Sequence, residues 1–174
     1  TGPAGAQWAG AVRLCAELGD PDGALLAARR LWQETPESRE TAFILARALE
    51  DTDRIAEAIG VLAPLARAGE LGVPELLRLA RLHLFAGQPQ LTETLARRLG
   101  REQPWHAGVW AQLAHAKRFT AGDPDLGPLA ELQKRLVDAT PAARARAAWA
   151  WGKAMVDLGD DDVRVGAADA ERTD

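Results

Sequence analysis

The apolar positions of this chain recur at an interval far longer than a helical turn. Leu45-Ala46, Leu79-Ala80 and Leu113-Ala114 lie 34 residues apart, and Ala11-Val12 falls in the same register one period earlier. Trp8, Ala42, Leu76 and Trp110 keep that interval, as do Arg13, Arg47, Arg81 and His115. The second half of each unit repeats as well: Ala24, Ala58 and Thr92; Ala28, Leu62 and Ala96; Leu31, Leu65 and Leu99. A period of this length marks stacked helical hairpins, none of which buries its apolar face alone. The spacing predicts units at 5–38, 39–72, 73–106 and 107–140, a partial fifth at 141–159, and an acidic, poorly ordered tail at 160–174.

Local chemistry agrees with helices throughout. Ala and Leu dominate, small residues recur where the two helices of a hairpin approach closely, and no stretch alternates as a strand does. Asp20-Pro21, Asp123-Pro124 and Thr140-Pro141 each set a capping side chain before a proline suited to the first helical position. Pro64 is the exception: it falls inside a predicted helix and is expected to kink or shorten it. Trp151 to Asp160 restarts the pattern, with Lys153 in the basic place four positions late, which predicts an insertion around 121–140.

The bulky residue at Trp8/Trp110, the small alanines of the second halves, and Pro36 and Pro104 at unit ends resemble the tetratricopeptide repeat. The fold this resemblance implies is all-α, a right-handed superhelical solenoid of four helix-turn-helix repeats plus a partial fifth.

Composition narrows the class. Hydrophobic residues make up 47% of 174, enough for one continuous core, yet no apolar run reaches the roughly 18–20 residues of a membrane span. There is no signal-peptide arrangement at the start, so a soluble, cytoplasmic protein is expected. The net charge is −4, and the 160–174 tail, with six acidic residues against Arg164 and Arg172, accounts for that excess. The repeat body is neutral, which disfavours nucleic acid as a partner. Cys15 has no second cysteine to bridge and its register is that of the core.

Catalytic chemistry has no foothold. His83, His106 and His115 show no pairing at helical spacing, so no metal site is expected, and no cofactor either. His83 reads as a packing residue. Phosphate loops, dinucleotide fingerprints and nucleophile elbows are absent; Gly152-Lys153 is followed by Ala154 within a helix.

What remains is a surface. Residues three or four apart share a helix face, which groups Phe43 with Arg47 and Glu50, Leu77 with Arg81 and Leu84, Ala111 with His115 and Arg118, and Trp149 with Lys153 and Val156. In tetratricopeptide proteins this side of the first helices lines a concave groove. The resemblance therefore implies a partner-binding groove built from Arg13, Phe43, Arg47, Leu77, Arg81, Phe85, His115, Arg118, Phe119, Trp149 and Lys153. Cations interleaved with apolar side chains suit a protein segment that is acidic and apolar. The competing reading pairs Arg13, Arg47 and Arg81 with Glu17, Glu50, Asp51 or acids of neighbouring repeats as a solvated lattice. Trp8, Trp110 and Trp151 take core register, while Trp32 and Trp105 fall near helix ends. The chain contains no Asn, unlike the chaperone-tail-binding tetratricopeptide domains that clamp a carboxylate with asparagines and lysines.

The segment from about 115 to 160, with Lys117 to Asp125 and the Gly152-Lys153-Ala154 to Asp157-Leu158-Gly159-Asp160 string, is similar to the end of the repeat region in bacterial tetratricopeptide-repeat sulfotransferases. No phosphosulfate-binding loop follows it. The alternative it implies is a repeat arm whose catalytic domain lies elsewhere. The last helix carries Trp149, Trp151, Met155 and Val156, so a partner or neighbouring chain is expected to cover that end.

Overall fold

The computed structural model describes the backbone of residues 3–36, 38–136 and 139–170, and side chains for 5–36, 38–136 and 139–159. These residues form helices α1 (Pro3–Glu17), α2 (Pro21–Glu34), α3 (Arg39–Asp51), α4 (Ile55–Arg67), α5 (Val73–Phe85), α6 (Pro89–Glu102), α7 (Ala107–Ala116), α8 (Leu126–Arg135) and α9 (Pro141–Ala170), and no strand. Two compact units result: the first runs to Ala86 and holds α1–α5, the second starts at Gly87 and holds α6–α9.

The starts of α3, α5, α7 and α9 are each 34 residues apart, as are those of α2, α4 and α6. In the first unit α1 pairs with α2 and α3 with α4, while α2 packs on α3 and α4 on α5. In the second, α6 packs on α7, and α9 takes both α7 and α8. The seam is made of the repeating small residues. Ala28, Ala46, Ala58, Ala80, Ala96 and Ala114 are all fully buried, with Leu31, Leu62, Leu79, Leu99 and Leu113 between them. An alanine brings two helix backbones close at no cost in rotamer entropy; the leucines fill what remains.

The turns repeat too. Gly19 and Gly87 hold left-handed backbone at φ 70° and 71°, and Asp53, at the same register, holds φ 57° without being glycine. Asp tolerates this region better than most side chains but still bears strain. Caps appear where proline announces them: Asp20 accepts the Gly23 N–H at 2.9 Å, and Thr140 Oγ1 accepts the Ala143 N–H at 3.3 Å.

Three expectations change. Pro64 does not shorten α4, which runs on to Arg67; the residue four places earlier, whose carbonyl the ring crowds, is Gly60, with open space where a side chain would stand. Asp123-Pro124 does not open a helix: Asp123 Oδ1 accepts the Asp125 N–H at 3.0 Å in a turn, Lys117 binds both Asp123 (2.5 Å) and Asp125 (2.8 Å), and α8 starts at Leu126. The unit 107–140 also has the ordinary length, so the chain holds no net insertion. The rearrangement is internal, with a longer turn before a late α8. Trp149 is therefore the in-register successor of His115, and Lys153 stands one turn further along.

Cys15 is half-buried, with its Sγ 3.0 Å from where a Cβ on Gly23 would stand. Trp110 is core, its Nε1 donating to the Pro104 carbonyl at 2.8 Å, whereas Trp8 and Trp151 are only half-buried on the first and last described helices. The tail expected at 160–174 continues the α9 backbone to Ala170; its side chains and residues 171–174 lie outside the described residues.

Replacing Asp53 with Gly relieves left-handed strain at the one non-glycine residue with positive φ among the described residues. The expected gain is about 0.5–1 kcal/mol, a rise in melting temperature of about 1–4 °C in thermal unfolding; a lower melting temperature would contradict it.

Candidate partner-binding face

In the first unit the face grouped by sequence is built by α1, α3 and α5. Arg13 and Arg47 are exposed, and among the described residues neither has an ion-pair partner. Arg81 behaves differently. Its guanidinium binds Glu50 of α3, which also takes Arg78 at 3.2 Å. Glu50 is the more buried member of this triad, so the two arginines neutralise it and tie α5 to α3. The lattice reading therefore holds at Arg81 and not at Arg13 or Arg47.

The apolar members alternate with these cations. Phe43 is half-buried beneath the Arg39 guanidinium at 5.9 Å, Leu77 is half-buried, and Phe85 is 62% exposed with Arg81 at 5.9 Å from its ring. Exposed cation–aromatic contacts of this kind contribute about 0.5–1 kcal/mol each and leave the ring edge accessible.

The second unit carries His115, Arg118, Trp149 and Lys153. His115 stacks on Trp149 with ring centroids 4.0 Å apart and planes 27° from parallel. Burial, then the nearby Lys153 charge, hold the His115 imidazole below its ordinary value of 6.5. Its neutral form is thus favoured in the folded chain, a contribution present above the unfolded pKa and lost as pH falls through the folded one. Arg118 is exposed and lends positive potential to Asp157.

Phe119 is a correction. Expected beside the groove, it is fully buried in the core formed by α6, α7, α8 and α9, with Leu129, Leu132, Ala150 and Ala154 around it. Its backbone N–H donates to Asp157 Oδ2 at 3.1 Å, and Lys153 binds the same oxygen. Burial pushes the Asp157 carboxyl up, but the Lys153 ammonium, the Phe119 N–H and the Arg118 charge together hold it below its ordinary 3.8. Lys153 is therefore engaged in securing the turn after α7.

A surface that sequence reasoning did not foresee lies between α2 and α4. An open groove of about 670 Å³ runs over Ala42, Leu45 and Leu49, walled by Trp32 and Pro36 on one side and by Val61, Pro64 and Leu65 on the other. The Arg29–Glu57 pair, at 2.8 Å, closes one end. Its signal was the coincidence of Gly60 and Pro64 on one face of α4, which removes side-chain bulk there.

Neither a search of protein-family models nor one of curated proteins gives a match. Solved structures do match. MamA 41-end from Desulfovibrio magneticus RS-1 is 18% identical with a TM-score of 0.63, over 88% of this chain and 94% of that one. The MamA RS-1 ArsTM double mutant is 17% identical with a TM-score of 0.64, over 93% and 98%. A further MamA crystal structure is 15% identical at 0.62, over 90% and 93%. These are tetratricopeptide-like helical solenoids, and at such identity the likeness establishes the fold. The sulfotransferase resemblance of 115–160 rests on sequence alone.

Asp157→Asn removes the charge that holds Lys153 and the Phe119 N–H. It is expected to cost about 1.5–3 kcal/mol at pH 7 in urea unfolding. Because the folded carboxyl is depressed, that contribution is fully present above the ordinary 3.8 and is lost as pH falls through the folded value. The gap between native and variant chains should therefore narrow in acid. A gap independent of pH would show that the charge is not what matters.

Proposed function

We propose that this chain is a non-enzymatic protein-interaction scaffold whose first-helix face takes an extended partner segment bearing acidic and apolar side chains. The observation that carries the reading is the exposure of Arg13 and Arg47 without ion-pair partners among the described residues, in register with Arg81 and beside Phe43, Leu77 and Phe85. The cations fix register and speed encounter with a negative segment, while the apolar side chains supply affinity. The tetratricopeptide-like fold shared with MamA supports a scaffold. The lack of a catalytic constellation in the sequence supports a role without chemistry of its own.

Arg81 has a different part in this account. Because Glu50 neutralises it, it braces α3 against α5 and presents Phe85, and its charge contributes less to a ligand than that of Arg13 or Arg47. In the second unit the stacked His115–Trp149 pair offers an aromatic platform with Arg118 as its exposed cation. No membrane role is proposed: no helix among the described residues is long and apolar enough to cross one.

The test is the double charge reversal Arg13→Glu/Arg47→Glu, titrated with a fluorescent peptide that alternates Glu with Leu and Phe. Affinity should fall about tenfold or more at about 50 mM salt, and the deficit should shrink at about 0.5 M as screening removes the Coulombic part. Unaltered binding by a variant with native circular dichroism would overturn the proposal.

A further inference from the structure

The register that places an arginine on α1, α3 and α5 places His115 on α7, so the second unit carries there a basic residue whose charge can be switched. Arg13, Arg47 and Arg81 stay charged throughout the physiological range, whereas an imidazole gains and loses its charge close to neutrality. The surroundings of the position change with it. One period after His115, α9 offers Trp149, and one turn further Lys153.

These side chains form one accessible group. The His115 ring lies on the Trp149 indole at 4.0 Å between centroids, and both residues are exposed, Trp149 by 42%. Stacking takes one face of the imidazole and leaves its edge, where Nδ1 and Nε2 have no hydrogen-bond partner among the described residues. Lys153 gives one of its three donors to Asp157 Oδ2 and keeps the others free. Val156, three residues beyond Lys153 on α9, is exposed and apolar.

The charges around the ring are one-sided. α7 packs on α6 and α9. Burial, and then the Lys153 ammonium of α9, hold the imidazole in its neutral form. Asp157 is committed to Lys153 and to the Phe119 N–H, and Arg118, after α7, acts on Asp157. Arg146, one turn before Trp149, is exposed. On α6, Glu93 pairs with Arg97, Arg97 with Asp125, and Arg98 with Glu102. No carboxylate among the described residues stabilises the imidazolium, so its counter-ion has to come from outside the chain.

We infer that His115, stacked on Trp149 beside Lys153, is a proton-linked subsite for an acidic side chain of the partner segment. This rests on the acidic and apolar partner proposed above and adds its regulation. A carboxylate between the His115 edge and Lys153 accepts from both and cancels the field that opposes protonation; the proton is drawn from solvent and no covalent bond forms. The stack survives the change, because an imidazolium over an indole face gains a cation–π attraction. By linkage, a ligand that raises the pKa of His115 binds more tightly as pH falls, from the value in the complex down to that in the free chain. The partner's own glutamates stay ionised over this range, since they protonate only near about 4.3.

The experiment titrates the fluorescent peptide that alternates Glu with Leu and Phe at constant ionic strength. The native chain should bind it about five- to tenfold more tightly at about pH 5.5 than at about pH 7.5. His115→Gln should lose that gain, and His115→Arg should bind at the higher pH as tightly as the native chain does at the lower. His106→Gln, at an exposed histidine outside the subsite, should keep the native dependence. On the native chain itself, the His115 ring resonance in NMR should titrate about one pH unit higher with the peptide bound. Peptide binding that leaves the His115 titration unmoved, or an equal pH gain in His115→Gln, overturns the inference and leaves the scaffold reading standing. Absence of saturable binding at either pH overturns both.

Discussion

Everything here depends on close approach between helices at positions that admit only a small side chain. Ala46, Ala80 and Ala114 on first helices, and Ala28, Ala58 and Ala96 on second or following ones, are buried to the last ångström. An added methylene at such a point finds no space, and the helix it sits on must shift. Because the shift is passed to the next stacked helix, the 34-residue register is enforced at each layer. The chain keeps that register even where its turns change. The segment between α7 and α8 is rebuilt around Lys117, Asp123 and Asp125, and yet α9 begins on time at Pro141.

Charge then sorts the repeated surface positions into two kinds. Where an acid is within reach the basic residue becomes a brace, as Arg81 of α5 does on Glu50 of α3 and, one turn beyond the repeated position, Lys153 does on Asp157 of its own helix. Where none is, as at Arg13 and Arg47, the guanidinium faces solvent. The same register therefore serves packing in one repeat and recognition in another. A half-exposed pair contributes little to stability, about 0–1 kcal/mol, so its main effect is to hold a side chain in place.

The helices were legible because their signals are local and repeated: Asp20-Pro21 and Thr140-Pro141 start α2 and α9 as their chemistry demands. Asp123-Pro124 has the same look, but there Asp123 Oδ1 accepts the Asp125 N–H within a turn while Oδ2 binds Lys117, and the helix opens only at Leu126. Phe119 misled in a similar way. It follows Arg118, an exposed residue on the predicted face, but the chain has left the helix by then, and an extended residue no longer obeys the 3.6-residue spacing that assigned it. Trp149 stacks on His115, one period earlier, a contact that the expected insertion at 121–140 hides and the ordinary length of the 107–140 unit reveals. The groove beside Pro64 depends on space rather than on side chains, and a pattern of residue types conveys space poorly.

The central claim is that partner recognition belongs to the first-helix face. Amide chemical-shift mapping on the isotope-labelled chain, with an acidic and apolar peptide added in steps, addresses it directly. The account predicts shifts concentrated at Arg13, Phe43, Arg47, Leu77 and Phe85, fading as salt is raised. Shifts concentrated instead at Trp32, Val61 and Leu65, in the groove between α2 and α4, would contradict it.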